Sequence, residues 1–86
     1  MSEQLDNEQI IETLRRSFAP FRCVAQLQDY ENRVGFRVYA SNGEILGTFE
    51  GNATDSVRDP KALRQLVEDT RAFLERRHKV KFDKLR

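Results

Sequence analysis

Cys23 and His78 are the only thiol and the only imidazole in this 86-residue chain, beside fourteen carboxylates and fifteen lysines and arginines. A thiolate–imidazole nucleophile would need Cys23 and His78 side by side, with a third group orienting the ring. The alternation around Cys23 turns its side chain toward a core, whereas His78 lies in a basic stretch near the chain's end, and this speaks against a shared active site. One Cys and one His are too few for a zinc site, and the carboxylates lack the spacing of a calcium loop. Gly35, Gly43, Gly47 and Gly51 do not compose a phosphate-binding loop; Gly43 serves a turn, and Gly47 is expected to leave room for a crossing helix. No catalytic residue, cofactor site, metal ligand set or small-molecule substrate is assigned, so the expected function is non-enzymatic.

Contact chemistry remains. Two sets of side chains carry it: Val24, Arg33, Arg37, Tyr39 and Leu46 on one face of the expected sheet, and Arg76, Arg77, Lys79 and Lys81 near the C-terminus. Val24, Tyr39 and Leu46 make a small apolar strip flanked by Arg22, Arg37 and Thr48, which fits contact with a protein partner or with a second copy of the chain. Unpaired strand edges offer a separate route to a homodimer, through either the first or the third strand. An aromatic among arginines also suits base stacking, so the alternative is nucleic-acid binding through Arg33, Arg37, Tyr39, Gln26 and Gln28 together with the basic tail. The same basic tail reads equally as a solvated helix end that complements the helix dipole.

These side chains need elements to hold them. Asp6 or Asn7 can cap a first helix, Gln9 three residues after Asp6 completing a capping-box pattern, with a buried stripe of Ile10, Ile11, Leu14 and Phe18, and Pro20 ends it. From Arg22 to Asp29, Cys23, Ala25 and Leu27 alternate with Val24, Gln26 and Gln28 as a half-buried strand. A short loop around Tyr30, Glu31 and Asn32, with Asp29 facing Asn32, sets Leu27 against Val34, Ala25 against Phe36 and Cys23 against Val38. Asn42-Gly43 predicts a type I′ turn, which places Ala40 opposite Ile45, Val38 opposite Gly47, Phe36 opposite Phe49, Arg37 opposite Thr48, Tyr39 opposite Leu46 and Gly35 opposite Glu50. Gly51 through Asp59 reads as a crossing loop. Asp59-Pro60 then starts a second helix with Leu63, Leu66, Val67, Thr70, Phe73 and Leu74 inward, and with Arg64–Glu68, Arg71–Glu75 and Glu75–Lys79 pairs outward. The helix is expected to end near His78, with residues 1–5 and 79–86 loosely ordered.

The fold class expected is α+β: a single two-layer α-β-β-β-α domain over residues 1–86, its three-stranded antiparallel meander covered on one face by both helices. That order is shared with double-stranded-RNA-binding domains. The corresponding surface here would present Glu8, Glu12, Glu31, Arg58, Asp59 and Lys61, without the lysine cluster expected at the start of the second helix. The net charge is +1, but residues 1–14 hold four acids and no base, while residues 71–86 hold seven bases and two acids. The acidic beginning has no apolar run, so neither a signal peptide, a transmembrane helix nor any membrane contact is expected. A lone core thiol points to the cytoplasm.

The run Ser17-Phe18-Ala19-Pro20-Phe21-Arg22-Cys23, following Ile10-Ile11-Glu12 and followed by a central Asn-Gly turn and a Leu-rich helix, resembles a family of small pseudomonad proteins catalogued as domain of unknown function 1652. The resemblance implies a small bacterial cytoplasmic protein, and it transfers no activity and no binding residue. The function expected is that of an accessory or regulatory protein-interaction domain.

Overall fold

Asp6 opens the first element by accepting the Gln9 N–H while the Gln9 side chain accepts the Asp6 N–H, both at 2.8–2.9 Å. This capping box starts helix α1, Asn7–Arg16, whose Ile10 and Leu14 are buried. The computed structural model describes residues 4–84, so Met1 to Glu3, Leu85 and Arg86, all assigned above to loosely ordered ends, lie outside the described residues. Three strands follow, β1 (Arg22–Gln28), β2 (Arg33–Tyr39) and β3 (Ile45–Ala53), then a 3-10 turn at Thr54–Val57 and helix α2, Pro60–His78. The sheet is antiparallel in the order β1-β2-β3. It is the α+β architecture expected from the sequence.

One core joins the layers: Ile10, Leu14 and Phe18 from α1 and its exit, Cys23, Val34, Phe36 and Val38 from the sheet, and Val57, Leu63, Val67 and Leu74 from the α2 side. All six phenylalanines of the chain touch in series, Phe21–Phe82–Phe18–Phe36–Phe49–Phe73, with centroids 5.1 to 6.2 Å apart. Offset and edge-on ring pairs of this kind add to simple area burial. The series runs from the tail, through β2 and β3, to α2. Gly47 lies under α2 as expected: a Cβ there would stand 2.8 Å from the Phe49 ring and 3.1 Å from Leu74.

The β1–β2 register agrees with the sequence at every core pair, Cys23↔Val38, Ala25↔Phe36 and Leu27↔Val34. The β2–β3 register holds in its middle, Phe36↔Phe49, Arg37↔Thr48 and Val38↔Gly47, and departs at both ends. Near the turn, Tyr39 pairs with Ile45, not Leu46. Gly43 alone takes positive φ, at 89°, and the Ala40 N–H donates to Glu44 O at 2.7 Å. Ser41-Asn42-Gly43 is thus a three-residue loop ending in a left-handed glycine, which replaces the expected type I′ pair. The displaced pairing is absorbed by a bulge at Leu46, whose side chain packs on the core. A regular strand would have left Leu46 in solvent, so the irregularity buries an extra apolar side chain.

At the other end a second irregularity lies between Val34 and Phe36, with Gly51 at φ 77° on the facing stretch of β3. It allows β3 to continue to Ala53, where a crossing loop was expected. Asn52 faces Val34 and donates to its carbonyl at 3.2 Å, and the Thr54 N–H donates to Asn32 O at 2.9 Å. The polar residues that argued for a loop satisfy the strand end through these bonds.

Of the three outward pairs expected around α2, two, Arg71–Glu75 and Glu75–Lys79, do not form among the described residues. Arg64–Glu68 forms at 3.1 Å. Arg71 pairs with neither Glu75 nor any other acid among the described residues: its guanidinium lies over Phe82 at 5.1 Å and donates to the carbonyls of Ser17 and Asp83. Residues 79–84 have no regular secondary structure, yet Phe82 packs on the core and the Asp83 N–H reaches Ala19 O at 2.8 Å. Leu5 is likewise tied to Arg58, which also holds Asn7 and Asp55.

Candidate functional site

Because partners directly opposite on an antiparallel pair share a face, the pairings define the side of the sheet that the helices leave open. Three cross-strand rows lie there, Arg22–Tyr39–Ile45, Val24–Arg37–Thr48 and Gln28–Arg33–Ala53, with the Gln26–Gly35 pair between the last two. Val24 and Ile45 are 40% and 52% exposed, two of the four large apolar side chains most open to solvent among the described residues. They stand on opposite sides of a polar centre.

That centre is held in place by its own bonds. Arg37 donates to the Thr48 hydroxyl at 3.2 Å and to the Tyr39 hydroxyl at 3.4 Å, and the Tyr39 contact raises the Arg37 pKa above the usual arginine range. The Arg22 guanidinium lies 5.8 Å from the Tyr39 ring centroid, a cation–π geometry. Tyr39 is therefore an aromatic platform with one face already engaged by an arginine. Arg33 is turned to the rim, donating to Gly51 O at 2.9 Å and lying 3.8 Å from Asp29.

The expected contact residues thus divide. Val24, Arg37 and Tyr39 lie together, Arg33 flanks them, and Leu46 leaves the set for the core side, with Ile45 in its place. Ile45 was missed because the Asn-Gly dipeptide fixes a turn but not its length; adjacent Ile45 and Leu46 are equally apolar, and only the bulge decides which one faces out. Arg76, Arg77, Lys79 and Lys81 are all exposed around the C-terminal end of α2, and none pairs with an acid among the described residues. They lie at and beyond the end of α2, around His78, which bonds β3 at Leu46. Arg58, weighed above as part of an RNA-binding surface, is spent on fastening the N-terminal segment.

The remaining chemical candidates are structural. Cys23 is buried opposite Val38, and burial pushes its thiol up to about 12, so it stays protonated at neutral pH. His78 Nε2 bonds the Leu46 carbonyl at 2.7 Å and, since a carbonyl only accepts, that nitrogen carries the proton. Among the described residues no three His, Cys, Asp or Glu side chains converge as metal ligands would, and no helix is long and apolar enough to cross a membrane. No family model, curated protein or solved structure matches this chain, so its surface is argued from its own geometry.

Proposed function

We propose that this chain is a non-enzymatic protein-contact module, an accessory or regulatory domain of the bacterial cytoplasm that engages a protein partner through the open face of its sheet. The observation that carries the reading is the pair of exposed aliphatic residues, Val24 and Ile45, set around a hydrogen-bonded Arg37–Tyr39–Thr48 centre. Apolar anchors beside an immobilised arginine and tyrosine are the composition of contact hot spots, because little rotamer freedom is left to lose on binding. Arg22, Arg33 and Arg37 against Glu50 make the face positive, which favours a partner surface bearing carboxylates around an apolar centre.

A photo-crosslinking amino acid placed at Thr48 in the producing cell tests this. A discrete heavier adduct is expected from Thr48, none from Gln65 on the outer side of α2, and loss of the Thr48 adduct in a Tyr39→Asp/Ile45→Asp variant. Equal labelling from both positions overturns the reading. The second reading, nucleic acid, is favoured by Arg76, Arg77, Lys79 and Lys81, four exposed cations with no acid partner among the described residues. Salt-reversible amide shifts at those residues and at Arg37 and Tyr39, on titration with short RNA or DNA, would put it first.

A further inference from the structure

The two outer strands of the sheet differ in how their free edges are treated. On β3, two bulges break the ladder, the Leu46 carbonyl is taken by His78 and the Gly51 carbonyl by Arg33. These are ways of closing an edge to further pairing. On β1 nothing comparable occurs: seven residues pair with β2 without a bulge. The Asn32 N–H to Asp29 O bond at 2.9 Å closes the first hairpin. The Thr54 N–H to Asn32 O, Asn52 side chain to Val34 O and Ala40 N–H to Glu44 O bonds turn the even-numbered backbone groups of β2 toward β3, so its odd-numbered ones face β1. Arg22, Val24, Gln26 and Gln28 carry that ladder, and the backbone groups of Cys23, Ala25 and Leu27 point outward. No hydrogen bond from the described residues reaches these outward groups.

We propose that the β1 edge binds a second copy of this chain, antiparallel about a two-fold axis at Ala25, joining two sheets into one of six strands. This register brings outward groups to outward groups along the strand: Cys23 with Leu27 of the second copy, Ala25 with Ala25, and Leu27 with Cys23, each pair exchanging two N–H···O bonds. Both faces match across it. Cys23 meets Leu27 and Ala25 meets Ala25 on the core side, and the only charged residue of the strand, Arg22, meets a glutamine.

Helix α1 supports the same axis independently. Glu8, Ile11, Glu12 and Arg15, spaced as one helical stripe, line a groove that also contains Leu27 of β1. The chain reverses between Arg16 and Arg22, so the middle of α1 lies beside the middle of β1. The two-fold at Ala25 then sets two antiparallel α1 helices next to each other, Ile11 near the axis and Glu8 against Arg15 of the second copy, twice. Glu8 has no ion-pair partner among the described residues of its own chain. The proposal stands on β1 and α1 alone and does not require the open face to bind anything.

Sedimentation equilibrium tests it, with a dimer of twice 10.1 kDa expected. Ala25→Pro removes an outward N–H that the monomer does not use, and proline is tolerated on an edge in that position. This variant is expected to be monomeric with a folded amide spectrum. Glu8→Arg is expected to raise the dissociation constant about tenfold, and Glu8→Arg/Arg15→Glu to restore it, a recovery that damage to folding would not produce. The Tyr39→Asp/Ile45→Asp variant is expected to remain dimeric, which separates this proposal from the open-face reading. A wild-type chain that stays at 10.1 kDa up to millimolar concentration overturns the proposal. So does a dimer unmoved by Ala25→Pro, or a charge swap that restores nothing.

Discussion

The two hairpins solve the same problem in opposite ways. The β1–β2 hairpin has an unbroken ladder and a difficult loop: Asp29, Tyr30 and Glu31 all adopt positive φ, at 52°, 52° and 69°, without a glycine among them, and Tyr30 is 97% exposed. The β2–β3 hairpin has an easy loop, with Gly43 at its left-handed position, and a ladder broken twice. In both, the pairs facing the core are kept, Cys23↔Val38 and Ala25↔Phe36 on one side, Val38↔Gly47 and Phe36↔Phe49 on the other. Core pairing outranks the loop's preference where the loop is poor, and bulges reconcile the two where the loop demands a different length. A left-handed non-glycine residue costs about 1–3 kcal/mol, comparable to the burial of one aliphatic side chain, so a well-filled core row can hold such a loop.

Changing a core row should have the largest effect. Gly47→Ala puts a methyl against the Phe49 ring, which is itself flanked by Phe36 and Phe73, and against Leu74. A loss of about 1–3 kcal/mol is expected in urea unfolding. An unchanged midpoint would show that β3 yields at its bulges and that the core row is less rigid than its counterpart on β1.

The same row ends at Cys23, where the comparison can be sharpened with pH. The folded thiol pKa lies near 12 against an ordinary 9.0, so between these values the unfolded chain has released a proton that the folded chain keeps. Stability from this group is complete below pH 9 and is lost as pH rises, at about 1.4 kcal/mol per unit. Thermal unfolding of wild type and Cys23→Ala at pH 8 and pH 10 should show the steeper fall in wild type, and parallel curves would refute it.

The loop contrast gives a smaller effect of opposite sign. Tyr30→Asn/Glu31→Gly installs in the first hairpin the residues that a type I′ turn prefers, relieving two left-handed positions. A gain of about 1 kcal/mol is expected in the same urea experiment. No gain would mean that the loop conformation is comfortable for its present residues.

Much of this arrangement is written in local chemistry. Asp6 and Gln9 form the capping box, Asp59-Pro60 starts α2, and the period-2 alternation of Cys23, Ala25 and Leu27 assigns faces and register to β1. The contact surface was half legible: Val24, Arg37 and Tyr39 follow from alternation, since a residue's face changes only if the count of residues changes. Ile45 and Leu46 sit where that count does change, and alternation fails there. The Arg71–Glu75 pair failed for a related reason, because a spacing of four brings side chains within reach while long-range competitors, here the Ser17 and Asp83 carbonyls and the Phe82 ring, go unseen.

The sequence by itself therefore determined the order of elements, the caps, the inward stripes and every core pair of the first hairpin, because each depends on residues adjacent along the chain or across a short turn. Only the tertiary structure decided the loop length at Asn42-Gly43, the exchange of Leu46 for Ile45 on the open face, the continuation of β3 to Ala53 and the docking of Phe82. Each of these is a competition between alternatives of similar local energy, and the deciding term is burial against residues far away in the chain: Leu46 against the shared core, Phe82 against Phe18 and Phe21.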